Sequence, residues 1–324
     1  MKKLRLLFFI VILIGGRAIL VGQDFVPSGT PSIRVFTNFH SQLSDGEVLN
    51  AFQIQRAYLG YKHQFSRTIS GKLYLDVADP GVGKLQMTGY LKNAYLQYKG
   101  DRLTAKFGLI GLHQFRLQED LWGGRYLFKS FQDQYKFGPS ADLGAHISYK
   151  LSSMMSADIT VANGEGYKSI QQDSLLKYSA GFTVRPYEGV DLRVYYDYMG
   201  IDQAQQSLSL YAGYTLGRVK IGAEYNKQFN HKMNGDEHLY GLSFYSSYTM
   251  EKTRIFCRFD QLSSVEIIAG DDPWNLGKDG RAFLAGIEYS PVKGILVTPN
   301  YQAWIPADGS SMVHIAYLSC QIKF

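Results

Sequence analysis

Cysteine, proline and mean hydropathy are all low in this sequence, and each low value excludes a class of protein. The 324 residues include two cysteines and nine prolines. Two cysteines are too few for a disulfide framework, so other interactions must hold the fold. The mean hydropathy of −0.16 excludes a bundle of membrane-spanning helices. It does not exclude a transmembrane β-barrel, whose strands are only half apolar.

The sequence also lacks a strong charge of one sign. The formal net charge is +6, but four of the positive charges lie in the first 17 residues, which leaves +2 for the rest. A charge this small does not indicate a surface for nucleic acid. We therefore expect no nucleic-acid partner.

The amino terminus has the pattern of a secretory signal peptide. Met1–Arg5 is basic, and Leu6–Ile14 is an unbroken apolar run. This run is about half of the ~20 residues that a membrane anchor helix requires. Small residues follow it, as at a cleavage site. We predict a signal peptide over 1–22 and one exported domain over 23–324.

Glycine and aromatic residues are abundant and favour strands joined by tight turns. There are 33 glycines, 24 tyrosines and 19 phenylalanines, and from residue 31 onward no segment keeps a helical period over three turns. Segments of about a dozen residues alternate instead between apolar and polar positions. The predicted strands are 32–42, 51–65, 68–79, 88–99, 102–113, 141–151, 154–163, 176–186, 189–200, 206–216, 218–229, 238–249, 252–263, 281–290, 294–304 and 312–324.

Short and long connections alternate along these strands. Turns such as Lys99–Arg102 follow the even-numbered strands, and longer polar loops such as Ser41–Asn50 and Ser264–Gly280 follow the odd-numbered ones. Bacterial outer-membrane barrels have short periplasmic turns and longer external loops, whereas a soluble sandwich has no reason to sort its loops. We therefore predict an all-β fold, a transmembrane antiparallel up-and-down β-barrel of about 16 strands.

The two faces of the strands fit a lipid environment. One parity is apolar and ends repeatedly in Tyr or Phe, as at Ala57, Leu59 and Tyr61, which is typical of the aromatic girdles at membrane interfaces. The last strand alternates in the same way and stops at Phe324. A terminal Phe on such a strand resembles the signal that the outer-membrane assembly machinery recognises. We expect outer-membrane lipid and this machinery as partners.

The stretch 114–139 interrupts the alternation. It follows the fifth strand, so it is the third long loop, and it is rich in charged and aromatic residues. A loop of this length in a compact fold is usually functional or disordered, and its aromatic content argues against disorder. We predict that it folds inward, into the lumen of the barrel.

Five segments of the sequence carry a resemblance to known proteins: QRAYLGYK (55–62), GKLYLDVAD (71–79), LTAKFGLIGLHQF (103–115), ADLGAHISYK (141–150) and ITVANGEGY (159–167). They resemble bacterial porins of the phosphate-selective porin O and P family. The resemblance implies a trimeric outer-membrane channel of about 16 strands whose third external loop folds inward. The sequence differs from selective members of that family because it lacks a dense ladder of inward arginines and lysines.

Parity and loop position select twelve charged residues as candidates for the pore lining or its constriction. In one interpretation the inward charges pair across strands and form a wet wall. In the other, loop acids such as Glu119 and Asp120 face basic residues of the opposite wall and set up a field. The main wall candidates are Arg56, Lys106, Arg254 and Arg258. The full set is Arg56, Lys72, Lys106, Arg116, Glu119, Asp120, Arg125, Lys129, Arg193, Lys220, Arg254 and Arg258.

These features together favour an outer-membrane porin that passes small hydrophilic solutes or ions by passive diffusion, with at most a weak bias towards anions. The alternatives are a barrel enzyme of the lipase or protease type and a surface-display or adhesion barrel. Ser130, His113, His146 and Asp142 form no known nucleophile motif, and the other external loops are short. We therefore expect no enzymatic activity, no catalytic or metal site and no cofactor.

The carboxyl-terminal pattern yields the first testable prediction. Deletion of Phe324 should lower the amount of folded, heat-modifiable barrel in the outer membrane, because the assembly signal would lose its aromatic end. Band shifts of unheated samples on denaturing gels measure this amount. Normal membrane insertion of the shortened chain would contradict the role assigned to Phe324.

Overall fold

The protein is a closed barrel of sixteen antiparallel strands, each paired with its neighbour in the chain, and β1 closes on β16. The computed structural model describes residues 25–80, 87–265 and 273–324, so the predicted signal peptide lies outside the described residues. The fold class and the strand number predicted from the alternation are confirmed. The strands are β1 Ser28–Ser44, β2 Glu47–Gln64, β3 Ile69–Ala78, β4 Thr88–Lys99, β5 Leu103–Gly111, β6 Ala141–Lys150, β7 Met155–Ala162, β8 Lys177–Val184, β9 Val190–Met199, β10 Gln205–Leu216, β11 Val219–Phe229, β12 Leu239–Met250, β13 Thr253–Ser263, β14 Gly280–Tyr289, β15 Ile295–Pro306 and β16 Val313–Lys323.

Two short helices and one 3₁₀ turn complete the described structure. Helix α1 spans Arg116–Trp122 and helix α2 spans Phe131–Gln134, both between β5 and β6. The 3₁₀ turn over His231–Met233 lies between β11 and β12. No helix in the described part of the chain is long and apolar enough to cross a bilayer.

One predicted loop is wrong. The segment Ser41–Asn50 is not a long polar loop, because β1 and β2 continue through it to a two-residue turn at Asp45 and Gly46. Both turn residues have positive φ, 50° and 78°, as in the type I′ turns that join antiparallel strands. Asp-Gly between alternating segments is a hairpin signal, and the polar residues around it concealed that signal.

The outer face of the barrel is apolar and the inner face is polar. Val194 and Phe244 project outward with 48% and 50% of their surface exposed, whereas the adjacent Arg193 and Ser243 are buried inside. A soluble barrel would have the opposite arrangement. An apolar exterior around a polar interior is the pattern of transmembrane barrels.

Two β-bulges break the strict alternation. The register shifts opposite Phe36 and Thr37, where Gln55 is the extra residue of β2. It shifts again between Tyr74 and Leu75, where Lys92 is the extra residue of β4. A bulge inserts one residue and changes which side chains point to each face. Alternation alone would place Lys92 on the outer face, but it is buried on the inner side with 9% of its surface exposed.

The orientation of the strands can be tested by placing a charge on the outer face. Val194→Arg should reduce the free energy of unfolding from lipid vesicles by about 2–4 kcal/mol, the cost of Arg near the bilayer midplane. Val194→Leu is the matched control and should leave stability nearly unchanged. Urea titrations followed by tryptophan fluorescence measure both. Equal stability of the two variants would mean that this position does not face lipid.

Candidate pore constriction

The segment from residue 112 to residue 140 lies against the inner wall and contacts strands on opposite sides of the barrel. The guanidinium of Arg125 lies near β2, and Gln132 donates to the Ser209 hydroxyl on β10 at 3.0 Å. We call residues 112–140 the inner segment. Helix α1 ends at Gly123, whose left-handed backbone (φ 65°) lets its N–H bond to the Glu119 carbonyl. Such a stop favours glycine because no Cβ clashes there.

The first anchor of the inner segment is a pair of buried aromatic side chains. The Trp122 ring lies 5.8 Å from Tyr245 and 5.6 Å from Phe256, on β12 and β13. The Tyr126 hydroxyl donates to the Glu288 carboxylate at 2.7 Å. Trp122 and Tyr126 each have 2% or less of their surface exposed. Burial of an aromatic side chain of this size contributes roughly 1.5–3 kcal/mol, so the two rings hold the segment firmly.

The second anchor lies at and beyond α2. Phe131 and Phe137 pack on Leu239 and Leu262, which project inward from β12 and β13. The Gln228 side chain on β11 donates to the Phe137 carbonyl at 2.8 Å. This second anchor fixes the return of the chain towards β6.

Arg125 connects the two helices to each other and to the wall. Its guanidinium donates to Glu119 at 2.7 Å and to Asp133, and its Nε approaches the Tyr58 hydroxyl at 3.5 Å. Burial alone would lower the pKa of Arg125, but Tyr58, Glu119 and Asp133 together hold the pKa well above its usual value. Burial would likewise raise the pKa of Asp133, but Arg125 and Lys129 outweigh it and the pKa is lowered. The pair therefore stays ionised at neutral pH.

Glu119 and Asp120 form their ion pairs within the inner segment, although Glu119 also lines a space shared with basic residues of the wall. Glu119 pairs with Arg125, and Asp120 pairs with Arg116 one turn earlier on the same helix at 2.9 Å. Residues three or four apart are neighbours on a helix surface. The i, i+4 spacing therefore gives Asp120 a close partner on its own helix.

Four of the selected wall cations are paired with carboxylates of the wall. Three of these pairs join different strands, as in the interpretation in which inward charges neutralise one another across strands, and the fourth, Arg258–Asp260, lies within β13. Two of these arginines also bond the inner segment, since Arg193 donates to the His113 carbonyl at 3.3 Å and Arg254 donates to the Trp122 carbonyl at 2.9 Å. The pairs are Arg56–Asp76 at 3.1 Å, Arg193–Asp158 at 2.6 Å, Arg254–Glu288 at 2.8 Å and Arg258–Asp260 at 2.8 Å.

Two of the remaining selected cations, Lys72 and Lys106, lie on one side of the lumen, on β3 and β5. Lys72 and Lys106 form no salt bridge with any residue that the structure describes, and the Lys106 ammonium lies 3.0 Å from the His113 ring. A space of about 440 Å³ lies between this wall and the inner segment, and Glu119 is the single acidic residue among those that line it. Lys129 and Lys220 do not line it. The six cations that do, here called the basic cluster, are Arg34, Lys72, Lys92, Lys106, Arg116 and Arg125.

Two members of the basic cluster were not among the selected residues. Arg34 lies at an inward parity position of β1 but was passed over. Lys92 was missed because the bulge in β4 turns it inward beside Asn93. Its ammonium lies 3.8 Å from Asp76 and 5.2 Å from the Tyr58 ring centre. Two consecutive polar residues within an alternating strand were the available signal for the bulge.

Two histidines and an aspartate also meet beside the inner segment. Ligand atoms of His113, His146 and Asp158 lie within 4.8 Å of one another. However, both Asp158 oxygens accept from Arg193, and burial, together with His146 and nearby cations, lowers the pKa of His113 to about 2. The positive charges of Arg193 and Lys106, which lie beside these ligand atoms, oppose a bound metal ion. A hydrolase triad needs a histidine that bonds both acid and nucleophile. Among the described residues His146 hydrogen bonds only to Thr160, and its ring stacks on that of His113 at 3.9 Å.

Comparison with known proteins places the fold. No protein-family model and no curated protein sequence matches the chain, but many solved structures do. The outer membrane channel DcaP of Acinetobacter baumannii matches with a TM-score of 0.68 and 15% identity over 92% of this chain and 97% of that one. The chain has a porin fold. Salmonella typhi OmpF, solved in complex with daunomycin, gives 0.66 and 14% over 91% and 97%. The anion-selective porin from Comamonas acidovorans gives 0.63 and 11% over 92% and 100%.

The role of Arg125 in this porin fold can be tested by neutralisation. Arg125→Gln leaves Asp133 without its arginine and leaves Glu119 with only the more distant Arg116, at 3.7 Å. Loss of one partner of a buried pair costs roughly 3–5 kcal/mol. The inner segment should therefore detach, and chymotrypsin should cut near Trp122 and Phe128 at a markedly higher rate. Mass spectrometry of the fragments locates the cuts.

Two further variants separate charge from size. Lys136→Gln removes a cation of the inner segment that forms no salt bridge in the described residues, so it should leave protection unchanged. Arg125→Gln combined with Glu119→Gln and Asp133→Asn removes the stranded charges and should restore part of the protection. Cleavage of the single Arg125 variant at the native rate would show that this ion pair does not hold the segment.

Proposed function

We propose that this protein is an outer-membrane porin, a passive diffusion channel for small hydrophilic solutes and ions. Its apolar outer face suits the hydrocarbon of a bilayer, and its polar inner face suits water. The inner segment fills part of the lumen, and we infer that the narrowest passage is the space of about 440 Å³ that the basic cluster lines, between the segment and the wall. Sieving by pore radius, with a charge bias at the narrowest point, is the mechanism that follows.

The basic cluster is the observation that carries this proposal. Six cations and one carboxylate line the same space. Three of these cations, Arg34, Lys72 and Lys106, form no salt bridge among the described residues, whereas the arginines of the facing wall are paired with carboxylates. Low-dielectric walls concentrate the field of such a cluster and raise the local concentration of counter-ions. The channel therefore favours small anions over cations of the same size. The cluster also supplies, in part, the inward cations of the phosphate-selective porins that the sequence resembles.

The same proposal includes the membrane orientation and the assembly. The short turns face the periplasm and the longer loops face outward, and Phe324 lies at the short-turn end, where its N–H bonds to the Ile33 carbonyl at 3.0 Å. A homotrimer is the assembly that the family resemblance implies. The tip of the β1–β2 hairpin exposes Val48, Leu49 and Phe52, an apolar surface that a neighbouring barrel would cover.

The constriction is tested by removing it. Replacement of residues 117–136 with a short Gly-Ser linker should raise the single-channel conductance about twofold or more, because the lumen would lose its narrowest section. The barrel should still fold, since the strands pair without the inner segment. Planar-bilayer recordings measure the conductance. An unchanged value would mean that the segment does not limit ion flow.

The charge bias is tested by neutralising the two lysines of the basic cluster that form no salt bridge with described residues. Lys72→Gln with Lys106→Gln should shift the reversal potential under a KCl gradient towards cation preference. The shift should shrink between 0.1 M and 1 M salt, where the Debye length falls from about 10 Å to about 3 Å. Lys99→Gln with Lys150→Gln changes the same charge at the short-turn end and should have a much smaller effect. Equal shifts in both variants would remove the basic cluster from the mechanism.

A further inference from the structure

A second cavity lies at the loop end of the lumen, apart from the basic cluster. It has a volume of about 550 Å³ and is bounded by the far end of the inner segment, by the inner faces of β12 to β16 and by residues of two external loops. We call it the vestibule cavity. Pockets that bind small molecules measure roughly 300–1,000 Å³, so its size suits a compact organic solute.

The floor of the vestibule cavity is apolar, which is unusual for the wall of a water-filled channel. Leu239, Leu262 and Leu284 project inward from β12, β13 and β14, and each has 5% or less of its surface exposed. The inner segment covers part of this floor with Phe131 and Tyr135. Little of each leucine is left exposed, so the floor offers an occupant a small apolar surface, which favours an apolar group at that point.

Aromatic rings form the sides of the cavity. Tyr135 and Trp304 lie with their ring centres 6.2 Å apart and their planes inclined by 32°. Trp274 lies beside His231 at 5.8 Å, and its indole N–H is fixed by the His238 carbonyl at 2.8 Å. Flat rings held in place at low entropy cost are surfaces on which another planar ring stacks.

The rim of the cavity is positively charged. Lys136, Lys232 and Lys278 line it, and none of their ammonium groups forms a salt bridge within 25–80, 87–265 or 273–324. Glu237 is the single acidic residue in the lining, and it accepts a hydrogen bond from the Asn234 amide at 3.1 Å. Among the described residues, an occupant with a negative group would meet three cations that no carboxylate pairs with.

The backbone at the rim is also held in an uncommon conformation. Lys136 and Lys232 have φ values of 61° and 56°, and Met233 has 63°. Non-glycine residues rarely adopt this left-handed region, and where they do they cluster at ligand-binding and functional sites. Two of the three rim lysines therefore lie on backbone of an unfavourable conformation, which the packing around them must stabilise.

We propose that the vestibule cavity is a binding site for planar aromatic carboxylates of about two fused rings. The rings stack between the aromatic sides above the leucine floor, and the carboxylate lies towards the rim lysines. This proposal rests on the proposed channel function: the vestibule cavity would bind such a solute while it passes through the pore. Phe128, Tyr135 and Lys136 belong to the inner segment, so the bound solute touches the segment that narrows the pore.

The experiment is calorimetric titration of the detergent-solubilised full barrel with 2-naphthoate. Saturable binding is expected, and the neutral isostere 2-naphthylmethanol should bind about tenfold more weakly, since about 1.4 kcal/mol of charge interaction corresponds to a tenfold change in affinity. The variant Lys136→Gln, Lys232→Gln and Lys278→Gln should lose the preference for the acid. Trp274→Ala should weaken both ligands alike.

A matched control changes the same number of charges elsewhere. Lys99→Gln, Lys150→Gln and Lys168→Gln should bind 2-naphthoate like the unaltered protein. Each variant is first checked for its heat-modifiable band, and Lys232→Gln alone replaces the triple variant if that variant does not fold. Absence of saturable binding, or equal affinity in the rim and control variants, would overturn the proposal.

Planar-bilayer recordings of the same preparations separate this proposal from the channel. A protein that binds 2-naphthoate but does not conduct would overturn the porin function and leave the binding site standing. A protein that conducts but does not bind 2-naphthoate would overturn the site alone. In a protein that does both, 2-naphthoate should interrupt the current, and the triple rim variant should lose those interruptions.

Discussion

The hydrogen-bonded seam between β1 and β16 is the constraint on which the rest of the structure depends. It pairs ten residues of each strand, from Arg34 with Lys323 to Leu43 with His314. Without it the sheet would have two open edges, whose unpaired backbone groups cannot be left in a bilayer. Closure satisfies those groups and creates an inside and an outside. The apolar parity of each strand then faces outward and the polar parity lines a lumen.

A closed lumen also explains how the inner segment is ordered. Its helices have seven and four residues, and isolated helices shorter than about 12–15 residues are marginal in water. Their order comes from packing: Trp122 and Tyr126 are buried against the wall, and Arg125 ties both helices to β2. The segment and the wall therefore depend on each other, and a change in either is transmitted to the narrowest part of the pore.

The distribution of charge inside the barrel is uneven for the same geometric reason. Arginines of the wall from β7 to β14 have acidic partners on the same or nearby strands, so that side is close to neutral. On the side from β1 to β5, Arg34, Lys72 and Lys106 have no such partner in the described residues, and the bulge adds Lys92 beside them. Anion preference in the proposed channel is thus a consequence of which cations remain unpaired, and not of the net charge of the chain.

The sequence by itself determined the number and order of the strands, the outward face of most of them, the position of the long insert and the amphipathic last strand, because alternation with a period of two is a local property. It also contained the Asp45-Gly46 turn, although the polar residues around that turn hid it. Only the tertiary structure decided which charges pair, since Arg193 meets Asp158 and Arg254 meets Glu288 across more than thirty residues of chain. It likewise decided the inward turn of Lys92 and the assembly of the vestibule cavity from distant segments, because strand register and the packing of the inner segment on the wall depend on contacts that no local pattern specifies.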